Sequence, residues 1–116
     1  MASLTNYLLT NRKRLALSQE EVAFLLGANG EGKGIKVSRN ENSSRIPSLQ
    51  TALAYEVIYG MPVRELFAGM YEQVEQEVAE RARVLGYRLE GKPKPKRQEV
   101  ITNLVSKIAA QSDDHE

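Results

Sequence analysis

The sequence predicts an all-α protein, in which a compact module of five helices, the fifth of them long, is followed by a C-terminal helical extension. Three observations carry this: paired helix start and stop signals in the first 60 residues, apolar positions recurring every three or four residues, and tight connections between the segments so defined.

The first helix is expected from about Leu4 to Leu15, capped by Ser3, with Leu4, Leu8 and Leu15 on or near one face. Arg12, Lys13 and Arg14 fill its last turn, where cations suit the negative end of the helix dipole. "SQEE" at 18–21 is a capping box and opens a second helix, Gln19 to Leu26, that buries Val22, Ala23, Leu25 and Leu26 and stops at Gly27. After a Gly-rich stretch, "IKVSRNE" (35–41) forms a short third helix. Ser48 caps a fourth, "LQTALAYEVIY", with Leu49, Ala52, Leu53, Val57 and Ile58 at helical spacing and Gly60 at its end.

Pro62 suits the first position of the fifth helix. Its apolar stripe (Leu66, Phe67, Met70, Tyr71, Val74, Val78, Ala82, Leu85, Leu89) continues to about Leu89, and Gly69 and Gly86 mark bends or an early end. The outer part of that stripe needs covering, either by a second copy of the chain or by the chain's own last helix. "GKPKPKR" (91–97) alternates Lys with Pro and reads as an extended linker. The last helix runs over 98–111 with Val100, Ile101, Leu104, Val105 and Ile108 on one side, and 112–116 reads as a disordered tail. The domain boundary is placed after residue 68, leaving 69–111 as an extension suited to oligomerisation.

Composition narrows the function classes. The chain has 116 residues, 41% apolar and 27% charged, with no Trp and few aromatics, so a single largely aliphatic core is expected. No Cys is present and His115 is the only His, which excludes disulfides, thiolate sites and paired-histidine metal sites. No secretory leader or membrane span is visible, so a cytoplasmic protein without membrane contact is expected. Net charge is +1, but residues 1–45 hold seven Lys/Arg against four Asp/Glu and residues 92–111 hold five against one. A polyanion would be met at those two places.

"GANGEGKG" (27–34) matches the first seven positions of a nucleotide-cradling P-loop. It follows a capped helix rather than a buried strand, and Gly34 stands where the magnesium-binding Ser or Thr is needed. The stretch is therefore expected to be a flexible turn, and the protein is expected to be no enzyme and to need no cofactor or metal.

Taken together, "LSQEEVAFLLG" (17–27) and "VSRNENSSRIPSLQTALAYEVIYGMPVRELF" (37–67) resemble the phage-repressor and Cro-like (XRE-type) family of helix-turn-helix transcriptional regulators. The resemblance covers about residues 8–67. It implies a five-helix repressor-like domain binding double-stranded DNA as a homodimer, with helix 35–41 in the major groove.

By the same resemblance Gln19 meets a phosphate, Arg39 reads a base, Ser38 lies on the reading helix, and Asn42 and Arg45 contact backbone in the turn that follows. The chain departs from the family in carrying nine residues between Gly27 and Val37, where about five are usual. That insertion puts Lys33, Gly34, Ile35 and Lys36 at the helix-entry and base-reading positions, with Lys33 and Lys36 suited to phosphate and Ile35 only to a thymine methyl. Asn40 departs too, from a position that is usually aliphatic or aromatic. The alternative expectation is a protein-interaction module on the same fold, such as an antitoxin or adaptor, that holds a partner protein through its C-terminal helices.

Overall fold

The structure, a computed structural model, describes residues 5–28 and 34–113, with side chains as far as Lys107. Its described residues form seven helices and no strands. They fall into two compact units, Met1–Tyr71 and Glu72–Glu116. None of these helices is long and apolar enough to cross a membrane.

In the first unit α1 (Leu8–Arg14) begins later than the apolar spacing suggested. Thr5, Asn6 and Tyr7 precede it because Asn6 Oδ1 accepts from the Leu8 amide at 3.0 Å, while the Tyr7 amide donates to the Leu66 carbonyl at 2.7 Å. A side-chain acceptor thus takes a donor that helix would otherwise claim. Ser3 and Leu4 lie outside the described residues. Leu8 is fully buried, but Leu15 is exposed, because the chain turns out of the helix there and Ala16 adopts φ 57°.

α2 (Gln19–Leu25) forms as its capping box dictates. The Glu21 amide donates to Ser18 Oγ at 3.0 Å and the Ser18 amide to Glu21 Oε1 at 2.7 Å, which holds the Glu21 carboxyl below its usual pKa. Val22 and Ala23 are buried and Leu26 is half-buried, whereas Leu25, expected inside, is exposed beside Phe24. Adjacent residues on a helix point about 100° apart, so a narrow contact cannot cover Val22, Ala23 and Leu25 together.

α3 (Ile35–Glu41) and α4 (Leu49–Tyr59) have the expected ends, with the Thr51 amide donating to Ser48 Oγ and Gly60 closing α4 at φ 68°. The buried face of α4 differs from the expected one. Thr51, Ala52, Tyr55 and Tyr59 turn inward, while Leu49, Leu53 and Val57 form an outward row, Val57 being 82% exposed. The helix has two apolar stripes, and the one with aromatics buries more area.

Tyr55 consequently sits at the centre of a core that is less aliphatic than composition suggested. Its ring stacks on Tyr59 at 5.7 Å and meets Phe67 edge-on at 6.5 Å, among Leu8, Val22, Val37 and Leu66.

The single helix expected from Val63 to Leu89 is two. α5 (Val63–Leu66) starts after Pro62, which serves as its N-cap rather than its first residue. Phe67 then leaves helical geometry at φ −117° and ψ 42°, and α6 runs over Ala68–Arg88. The break falls where both Leu66 and Phe67 are drawn into the core. Gly69 and Gly86, expected to mark bends, both stand inside α6.

In the second unit the antiparallel partner of α6 is α7 (Pro95–Asp113). Gly86 lies against Ile101, a Cβ at Gly86 falling 3.5 Å from Ile101 Cγ2, and Lys107 Nζ is 3.4 Å from Glu75 Oε2. Ala79, Ala82 and Ile101 are buried. The Lys-Pro segment is only partly extended. Pro95, Lys96 and Arg97 belong to the first turn of α7, where a proline lacks no bonded amide, and α7 continues through Ser112 and Asp113. Val100 is exposed, Leu104 and Val105 are half-buried, and the Ile108 side chain lies outside the described residues.

Candidate nucleic-acid interface

Glu41 organises the region around α3. It lies four residues after the fully buried Val37, so its side chain returns to the inner face of the helix, where a carboxylate must be paired. Arg12 supplies the pairing as a fork, with Nε at 2.6 Å from Oε2 and NH2 at 3.2 Å from Oε1, and Gln19 Nε2 donates to Oε1 at 3.0 Å. The side chains of Arg12 and Glu41 are 13% and 6% exposed. Arg12 also donates to the Leu17 carbonyl at 3.0 Å. The bond to Glu41 raises the Arg12 pKa further above its already high value. One carboxylate therefore ties together α1, α2 and α3.

This alters the roles expected of two residues. Gln19 is the first residue of α2, as the capping box requires, but its amide nitrogen is anchored inward on Glu41. Arg12 likewise turns away from the basic cluster at the end of α1. Its neighbour Arg14 donates to the Tyr59 carbonyl at 2.8 Å and to Asn11 Oδ1 at 3.2 Å.

The outer face of α3 is the complement of this. Gly34, Val37 and Asn40 are buried, Ser38 is half-buried, and Ile35, Lys36, Arg39 and Asn42 are exposed. Arg39 has no side-chain hydrogen bond or ion pair with any described residue, Glu41 included. Lys36 likewise makes no ion pair among the described residues. Since Glu41 is the only acid in α3 and faces inward, the outward face carries two cations and no anion.

Gly34 sets how α3 enters. It adopts φ 86° as N-cap, and a Cβ there would stand 3.2 Å from Gln19 Cβ. Only glycine suits both that backbone and that approach. Lys33, the other cation expected at the helix entry, lies outside the described residues.

The loop after α3 is held by Asn40. This residue is buried, with Nδ2 donating to the Arg45 carbonyl at 2.9 Å and Oδ1 accepting from Tyr55 Oη at 2.9 Å. A polar side chain replaces the expected apolar one because both of its polar ends find partners. Asn6 Nδ2 donates to the Asn40 carbonyl at 3.0 Å and to Ser43 Oγ at 3.1 Å, and the Arg45 amide donates to the Arg39 carbonyl at 3.2 Å. Asn42 Oδ1 accepts from the Ser44 amide at 2.9 Å, an Asx-type turn. The exposed Arg45 is thus carried on a loop pinned to the last turn of α3, at the same end of the helix as Arg39.

Sequence reasoning missed Asn6, Asn40 and Tyr55 as the frame of this loop and Glu41 as its electrostatic centre. The spacing of Glu41 from Val37 was the one available signal. Among the described residues no group of three acids or histidines is arranged to hold a metal ion. Comparison with protein-family models, with curated proteins and with solved structures returned no match.

Proposed function

We propose that the protein is a sequence-specific DNA-binding transcriptional regulator, a repressor with a helix-turn-helix made of α2 and α3, that places α3 in the major groove. The observation that carries this is the inward commitment of Glu41, which leaves Lys36 and Arg39 on a helix face free of acid. An α-helix fits a groove roughly 12 Å wide, an arginine can hold guanine O6 and N7 together, and a lysine supplies sequence-independent phosphate attraction. Arg45, on the pinned loop after α3, meets the backbone, and Ser38, Asn42 and Ile35 complete the contact surface. Gln19 acts through Glu41, fixing the approach of α2 to α3, with its phosphate contact secondary.

A second reading, a protein-interaction module, is favoured by the outward row of Leu49, Leu53 and Val57 on α4. The two separate in one experiment, the selection of duplexes from a random pool at two salt concentrations. Enrichment of a defined sequence that vanishes in Arg39→Ala supports DNA reading. Steeply salt-sensitive binding without enrichment, or no binding, contradicts it.

A further inference from the structure

At the closed end of the α6–α7 hairpin the second unit carries an open groove of about 540 Å³. Its floor is Gly86 against Ile101, where the missing side chain brings the helices together, and its walls are Tyr87, Leu89, Pro93 and Val105. Tyr87 is 64% exposed, and Leu89 and Val105 are half-buried. Concave apolar surface left open in this way is where a partner's apolar side chains are buried.

The turn that closes the hairpin fixes cations beside the groove. Gly91 adopts φ 79°, the Lys92 amide donates to the Leu89 carbonyl at 3.0 Å, and Arg97 donates to the Lys92 carbonyl at 2.6 Å. Lys92 and Lys94 flank Pro93 of the wall, and Lys96 stands two residues before Gln98 of the lining. All three lysines are exposed and make no ion pair with a described residue. Residues 81–98 hold seven Lys/Arg against one acid, Glu90. The complement of the groove and its rim is an occupant that is both apolar and negatively charged.

Glu90 decides which kind of anion that is, because it too lines the groove. A nucleic-acid strand carries a phosphate on every nucleotide and would set one against Glu90, whereas a peptide places its carboxylates singly. The walls favour the peptide as well. Leu89, Pro93 and Val105 suit apolar side chains, while stacked bases need flat aromatic platforms, of which the lining offers only Tyr87. An anionic bilayer presents a broad flat surface that leaves a groove unfilled.

We propose that this groove docks an acidic, amphipathic segment of a partner protein, its apolar side chains entering between Tyr87, Leu89 and Val105 and its carboxylates meeting Lys92, Lys94 and Lys96. The apolar face of the segment is buried and its charge is met at the rim, as for an amphipathic helix laid in a groove. This docking is independent of DNA reading by α3 and of the apolar row on α4.

The test uses the full chain as target for a displayed library of random linear peptides. The recovered peptides are expected to be net negative and to carry Leu, Ile, Phe or Met between their acids. The best of them, synthesised with a fluorescent label, is then titrated against the unaltered chain and its variants by anisotropy. Lys94→Glu combined with Lys96→Glu reverses the rim, Thr102→Trp fills the groove from an exposed position of its lining, and Tyr87→Ala removes a wall. Each is expected to weaken the peptide by about tenfold or more while the helical circular dichroism is unchanged. Peptide binding is the only readout, so its failure leaves duplex selection by α3 standing, and the reverse. A library that yields no peptide, or only neutral or basic ones, would overturn the proposal. So would an acidic peptide whose affinity is unchanged in folded Thr102→Trp and Tyr87→Ala, or a labelled oligothymidine strand or phosphatidylserine vesicle that takes the groove where no peptide does.

Discussion

Asn40 and Tyr55 are joined across the core of the first unit by a bond of 2.9 Å, the phenol donating to the amide oxygen. The same amide donates to the Arg45 carbonyl, so the pair connects the centre of the core to the loop that carries Arg45. Tyr55→Phe leaves Asn40 Oδ1 buried without a partner, and the expected loss of stability in urea unfolding is about 1–2 kcal/mol. Asn40→Leu orphans both Tyr55 Oη and the Arg45 carbonyl and is expected to cost more. The double variant should be less destabilised than the sum of the singles, and simple additivity would show that the bond carries no coupling.

The pairing of Glu41 should dominate electrostatic stability. Glu41→Gln leaves the half-buried Arg12 guanidinium without its counter-charge, and a loss of about 1–3 kcal/mol is expected. Lys36→Ala and Arg39→Ala, on the exposed face of the same helix, should fall within about 0.5 kcal/mol of the unaltered protein. Thermal unfolding of the three variants checks the contrast. Equal losses in all three would contradict the division of α3 into a structural and a free face.

Tyr59 makes stability fall in alkali. Its hydroxyl is buried with no partner among the described residues, and burial, with a smaller contribution from Glu41, pushes its pKa from the ordinary 10.0 up to about 12. The folded state therefore favours the neutral phenol. That contribution is complete below pH 10 and is lost as pH rises through about 12. Tyr59→Phe should remove this part of the alkaline decline and should not destabilise at neutral pH, because no hydrogen bond to a described residue is broken. Denaturant midpoints between neutral pH and pH 12 measure both effects.

Gly34→Ala tests the junction of α2 and α3. Positive φ and a Cβ 3.2 Å from Gln19 Cβ both oppose it, and a loss of about 1–2 kcal/mol is expected in chemical unfolding. A neutral result would mean that the loop readjusts without strain.

Local chemistry was the part of the fold most legible in the sequence. Ser18 with Glu21, Ser48 with Thr51, and Gly60 act over three or four residues, and their helices start or stop where those residues demand. Face selection was less legible, because α4 carries two stripes and only tertiary packing makes Tyr55 and Tyr59 the inner one. The break at Phe67 was hidden for the same reason, since spacing alone is compatible with an unbroken helix. At the site, the exposed positions of Lys36 and Arg39 followed from the helix 35–41, but the inward turn of Gln19 depends on Arg12 and Glu41, distant in sequence. Pro95 shows the opposite error, a residue read as a helix breaker that serves as a helix start.

Whether the free face of α3 reads DNA is decided by titrating the chain against its best selected duplex and a scrambled one over a range of salt. Arg39→Ala is expected to weaken the selected duplex by about 1–3 kcal/mol and to flatten discrimination, whereas Lys36→Ala should weaken both duplexes alike and lower the salt dependence by about one phosphate. An Arg39→Ala chain that binds and discriminates as the unaltered one does, or a chain that distinguishes no duplex from another, would contradict DNA reading by α3.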